Sequence, residues 1–262
     1  MAQGSFGEIK AFEDFTGFPG GIVTVPDASG EFMGGWGLIG VNEGTIVATV
    51  DEPGGIVALT SDTGDDDNIC LFAGTFKPSD GGMQMEVRFK IVDSVAATRA
   101  AVFVGFSETL VKDTPVMPAE TATATTTYNG TGGMAGFLFD SDSTDLLWRF
   151  VAGDAAAALA TINSLGDGGT VGGAIGINAA ATVTADRWWI ARIEIDEQGM
   201  ARGYWGDADA NKEMKFVGRN TAALGTGDSF HAVAMLENRS GANEILEVDY
   251  AYARGWRDWR PN

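Results

Sequence analysis

The sequence predicts an all-β fold: a two-sheet antiparallel jelly-roll-like sandwich with an N-terminal arm and long loops. Three observations carry this. Gly is abundant and Pro scarce, 37 against 7. Short runs rich in Val, Ile, Phe and Thr recur along the chain, each bounded by Gly, Asp, Asn or Pro. Helical periodicity is nearly absent. Strands with one apolar face bury that face best by stacking two sheets. A chain of 262 residues, 45% hydrophobic and 10% aromatic, supplies a core for one large sandwich.

Taken in order, residues 1–40 alternate Phe with Gly and read as an arm packed on a partner, which leaves residues 41–262 as a single sandwich. Strand-like runs lie at 21–25, 45–50, 55–60, 69–73, 83–92, 101–106, 134–140, 146–151, 188–196, 201–205, 230–236 and 245–253. The clearest runs from Met83 to Ile91, where odd positions are apolar and even ones polar, so one face is buried and the other wet. Residues 107–133 form a Thr/Ala-rich insertion expected to be a loop presented outward, and 152–186 an Ala/Gly-rich stretch with a helical turn at Ala155–Ala160. Trp189–Asp196 and Ala201–Trp205 read as a hairpin with Gly199 at the turn position that needs positive φ. The run from Ile245 to Ala253 closes the sheet.

With 17 Lys+Arg against 36 Asp+Glu, the chain carries a formal charge of -19. Phosphate backbones and anionic membranes repel such a chain, so neither nucleic acid nor membrane is an expected partner. Cys70, the single cysteine, reads as a small buried hydrophobe, and a fold without disulfides suits assembly in a reducing cytoplasm. The N-terminal sequence Met1–Glu8 lacks a basic start and an apolar core, and the expectation is synthesis without a secretory signal.

The late hairpin Trp188–Trp205, then His231–Asn238 and Glu247–Tyr250, resembles the concanavalin A-like lectin and glucanase superfamily. That resemblance implies a jelly roll, and members without catalytic residues are often phage virion components of the head-decoration type. Laminarinase-like members carry three acids at i, i+2 and i+4 on one strand. Here Glu194 and Asp196 supply two, Gln198 stands at the third place, and Glu197 points to the other face. Glu247 and Asp249 resemble the opening of the legume-lectin metal site, but Ala251, Ala253 and Gly255 stand where the following ligands are needed, and the one histidine, His231, reads as core-edge.

Other candidates come from the residues alone. The acidic run Asp62–Asn68 is a candidate for Ca2+, although its spacing is not that of an EF-hand, and it reads first as a solvated turn. Gly34–Gly40 is not followed by a helix pattern, which weakens a phosphate-cradle reading. Aromatic and Arg side chains anchor interfaces, so Phe6, Phe12, Phe15, Phe18, Trp256, Arg257, Trp259 and Arg260 are the candidate partner-binding residues. The functional expectation is a non-enzymatic, oligomeric virion protein that binds a major capsid protein or other virion component, with no catalytic residues and no cofactor. The alternative is a carbohydrate-binding module that takes a surface glycan, and the third reading is a glycoside hydrolase.

Overall fold

The strict alternation from Met83 to Ile91 sets one face of a strand against a core and leaves the other to solvent, and in the computed structural model this strand lies at the centre of a sheet. The structure describes residues 8–16, 23–24, 31–33, 35–40, 44–49, 55–92, 99–110, 117–122, 125–128, 132–144, 146–154, 174–176, 185–210, 213–219 and 223–256. In chain order the strands are β1 (Glu8–Glu13), β2 (Val23–Thr24), β3 (Glu31–Met33), β4 (Trp36–Gly40), β5 (Thr45–Ala48), β6 (Val57–Thr60), β7 (Asn68–Phe76), β8 (Met83–Val92), β9 (Ala100–Ser107) and β10 (Ala119–Ala122). They continue with β11 (Thr125–Tyr128), β12 (Met134–Asp140), β13 (Arg149–Gly153), β14 (Ala174–Gly176), β15 (Trp189–Ile195), β16 (Ala201–Asp207), β17 (Lys215–Arg219), β18 (Phe230–Asn238) and β19 (Ile245–Trp256).

These strands form a nine-stranded sheet, ordered β17-β16-β15-β8-β19-β6-β5-β2 with β1 also on β19, and an eight-stranded sheet, ordered β14-β13-β12-β9-β18-β7-β4-β3. Every pairing is antiparallel. The two sheets bury the main core between them, with Met85, Val87 and Phe89 from one side facing Val104, Phe106 and Phe137 from the other. At one end Trp205 gathers Phe137, Trp148, Trp189 and Phe89 at ring separations of 4.9–5.9 Å. Burial of such large rings is the main stabilising term of a fold without disulfides.

The expected arm differs from what is observed. Over its described residues, the stretch 1–40 belongs to the two sheets: β1 pairs with the last strand in the register Glu8↔Trp256 to Glu13↔Ala251, and β3 and β4 extend the eight-stranded sheet. The pairing joins the two ends of the chain, which no local pattern announces. Gly37 to Gly40 lie on a fully buried strand, where the backbone is paired in the sheet.

The insertion 107–133 also differs from the loop presented outward. Its described part folds back as the β10–β11 hairpin over the outer face of the eight-stranded sheet. Met117 and Ala119 pack there on Cys70, Phe103, Met134, Leu138, Val151, Val233 and Met235, a second apolar core. That cover explains why β9 and β12 are buried at every position: inward residues meet the main core and outward ones meet the insertion. The helical turn expected at Ala155–Ala160 lies outside the described residues.

Candidate functional site

The turn after β15 is organised by Asp196. Its Oδ1 accepts the N–H groups of Gln198 at 3.1 Å and Met200 at 2.9 Å, its Oδ2 pairs with Arg202 at 3.0 Å, and Gly199 takes φ 78° where an L side chain would be strained. The neighbouring strand β8 is entered through a 3-10 turn at Pro78–Asp80 followed by Gly81 and Gly82. These two turns and the end of β19 enclose a groove of about 570 Å3.

Cross-strand register sets what lines it. Gln84 stands beside Glu194 and also beside Arg254, and Glu194 beside Arg202, so one wet row of the nine-stranded sheet runs Arg202, Glu194, Gln84, Arg254. Trp256 closes the groove at 37% exposure. A Cβ on Gly81 would sit 2.6 Å from the Trp256 Cδ1, so the indole rests directly on a backbone that has no side chain to hold it away. The platform is thereby fixed on one face and partly open to the groove. Arg254 is only loosely engaged, 3.8 Å from Glu8, whose carboxylate also holds Lys10 at 3.0 Å. At the far side of Glu194, burial first and then the Glu194 carboxylate push the Tyr204 hydroxyl above its ordinary pKa.

The next row of the same face runs Phe12, Tyr252, Glu86, Arg192, Tyr204, Phe216. Its ends are aromatic and exposed, Phe12 at 54% and Phe216 at 56%, and its middle is tied by the Arg192–Glu86 pair at 2.7 Å and by the Tyr250 hydroxyl donating to Glu86 at 2.7 Å. The face thus combines flat apolar surface with many hydrogen-bonding groups.

Strand β15 and its turn do not repeat the three-acid pattern of the laminarinase-like members. A retaining glycosidase needs two carboxyl groups roughly 5 Å apart, both free to act. Asp196 is occupied by its turn and by Arg202, and residue 198 is Gln, so Glu194 has no partner acid on the strand.

The remaining sequence candidates fall as follows. Phe12 and Trp256 lie on the wet face just described. Phe15 is 2% exposed and sits in the main core, which leaves it no surface for a partner. Phe6, Phe18, Arg257, Trp259 and Arg260 lie outside the described residues. Glu247 pairs with Lys90 at 2.9 Å and Asp249 with Arg88 across the β8–β19 ladder, so both carboxylates are held by cations. His231 bonds the Gly74 carbonyl through Nδ1 at 2.7 Å, and burial lowers its pKa.

The acidic run 62–68 is fastened to the end of β18: Asp66 N–H donates to the Asn238 carbonyl at 2.9 Å, Asn238 N–H to that of Asp67 at 2.8 Å, and the Asn238 side chain to that of Asp62 at 2.9 Å. Among the described residues, no group of three or more His, Cys, Asp or Glu side chains is placed to hold a metal ion. Cys70 is fully buried, and burial pushes its thiol pKa up, away from nucleophile chemistry.

Sequence reasoning missed Gly81, Gln84 and Arg202. The one available signal was the Gly81-Gly82 pair ahead of the strongest strand; which strand lies beside which is not written in any local pattern.

No family model and no curated sequence matches this chain. Solved structures do. A protein of unknown function from Shewanella oneidensis MR-1 superimposes with a TM-score of 0.57 at 12% identity, covering 97% of this chain and 90% of its own. Peanut lectin gives 0.54 at 9% identity, with 94% of this chain and 97% of its own covered. The Ca2+-bound exoplasmic/lumenal domain of VIP36 gives 0.52 at 11% identity, with 97% and 91% covered. At these identities the likeness shows the fold alone: a two-sheet antiparallel sandwich of the kind found in peanut lectin and VIP36.

Proposed function

We propose that this protein is a carbohydrate-binding module and that the groove at the end of the nine-stranded sheet receives the glycan. The observation that carries the reading is Trp256, laid on Gly81 and open to the groove, beside Gln84, Glu194 and Arg254. A pyranose has an apolar face of C–H groups and a rim of hydroxyls. An indole offers matching flat area at low entropic cost, and carboxylate, amide and guanidinium groups pair with hydroxyls. The fold supports the same reading: VIP36, a similar sandwich, has a Ca2+/Man3GlcNAc-bound form, and the groove described here is built from this chain's own residues.

The experiment is retardation of the protein in gels containing soluble polysaccharides, together with a screen on a glycan array. Saturable binding that Trp256→Ala weakens about thirtyfold, with the fold intact, is the expected result. Absence of binding across a broad panel refutes the proposal.

A further inference from the structure

Away from the groove, at the end of β18, Arg239 lies with its side chain 7% exposed amid carboxylates from four separate parts of the chain. Glu237 approaches its guanidinium at 2.8 Å, Asp140 at the end of β12 at 3.2 Å, Asp66 from the β6–β7 loop at 3.3 Å, and Glu120 of β10 at 3.5 Å. Asp142 adds a fifth negative charge acting on the same group. Glu237 and Asp140 are 3% and 1% exposed. One cation therefore faces a surplus of acid in a place where water screens little.

The same cluster fastens the insertion. The Thr121 N–H donates to Asp140 Oδ2 at 2.7 Å, the Met117 N–H donates to the Glu237 carboxyl, and Glu120 reaches Arg239. Between these ties, Met117 and Ala119 seal the second apolar core. We propose that Arg239 and its carboxylates form a proton-operated latch that closes the 117–122 segment over the outer face of the eight-stranded sheet and releases it as pH rises.

The sign follows from burial. Burial pushes the Glu237 carboxyl from an ordinary 4.5 up to about 7, against the opposing pull of Arg239 and with the help of Glu120 and Asp66. Burial raises Asp140 as well, against Arg239 and the Thr121 N–H and with a contribution from Asp142. In an opened latch both carboxyls meet water and ionise in the ordinary range. The closed state thus holds protons that the open state gives up. Its advantage is complete below 4.5 and is lost as pH rises to about 7, after which it stays flat. When Glu237 ionises, four carboxylates crowd one guanidinium, and the repulsion is relieved by moving Glu120 away with its strand.

Cys70 reports on this event because it is the single cysteine and lies in the apolar core under the latch. The test is the rate of Cys70 alkylation by iodoacetamide in the intact protein, divided at each pH by the rate for the same thiol in the urea-unfolded chain. Amide-exchange protection at Met117 and Thr121 is followed in parallel, with strand β8 as the internal reference. Expected is a loss of protection of at least about tenfold between pH 5 and 7.5 at Cys70, Met117 and Thr121, with β8 unchanged. In Glu237→Gln, most of that pH dependence disappears. A pH-independent Cys70, or a β8 that loses protection in step, overturns the latch. Should the Gln variant not fold, the comparison of hairpin with β8 in the native protein decides alone.

Discussion

Gly81→Ala moves the proposed binding platform without touching it. The added Cβ falls 2.6 Å from Trp256 Cδ1 and 2.9 Å from Cγ, where ordinary contact begins near 3.4 Å, so the indole must shift by about 1 Å. Gly81 also has φ 137°, a conformation costly for an L side chain at about 1–3 kcal/mol. The worth of the platform can be bounded from its open surface. Trp256 is 37% exposed, which for a side chain of about 250 Å2 is about 90 Å2, or roughly 2 kcal/mol when a ligand covers it. Losing half of that contact costs about 1 kcal/mol, near fivefold in affinity. The assay pairs affinity electrophoresis on the best-binding polysaccharide with a thermal melt. Weaker retardation together with a melting point lower by a few degrees is expected. A variant that melts earlier yet binds with native affinity refutes the role given to the indole.

Three further outcomes follow from the packing. Phe137→Ala, which removes a fully buried ring from beside Trp205 and Phe150, lowers stability by about 3–5 kcal/mol in chemical denaturation. Arg239→Met leaves Glu237 and Asp140 buried without their cation and destabilises by about 3–5 kcal/mol at pH 7.5. That loss shrinks at pH 5, where Glu237 keeps its proton, so denaturation at both pH values checks it. Asp196→Ala removes the acceptor of two turn N–H groups and costs about 1–2 kcal/mol, read as a shift in the urea midpoint.

How far the sequence is legible depends on where each strand lies. Met83–Val92 is plain because one of its faces is wet and alternates with a buried one. The β15–β16 hairpin is plain for the same reason, and Gly199 has the positive φ its turn requires. In β9 and β12 the period of two is erased, since the insertion buries the face that would otherwise be polar, and only an apolar run remains. β1 is hidden because its partner is at the other end of the chain. Trp256 is visible as an aromatic near an Arg-rich terminus, but its neighbours Gly81, Gln84 and Glu194 come from distant stretches that only the sheet order brings together. The Arg239 cluster is more remote still, with its four carboxylates drawn from four elements.

The most direct measurement is calorimetric titration of the native protein and of Trp256→Ala with the same soluble oligosaccharide, chosen from the array. Saturable binding by the native chain, weakened about thirtyfold in the variant while both are folded at the temperature of the titration, is the predicted result. Equal affinity in the two proteins would contradict the groove as the glycan site.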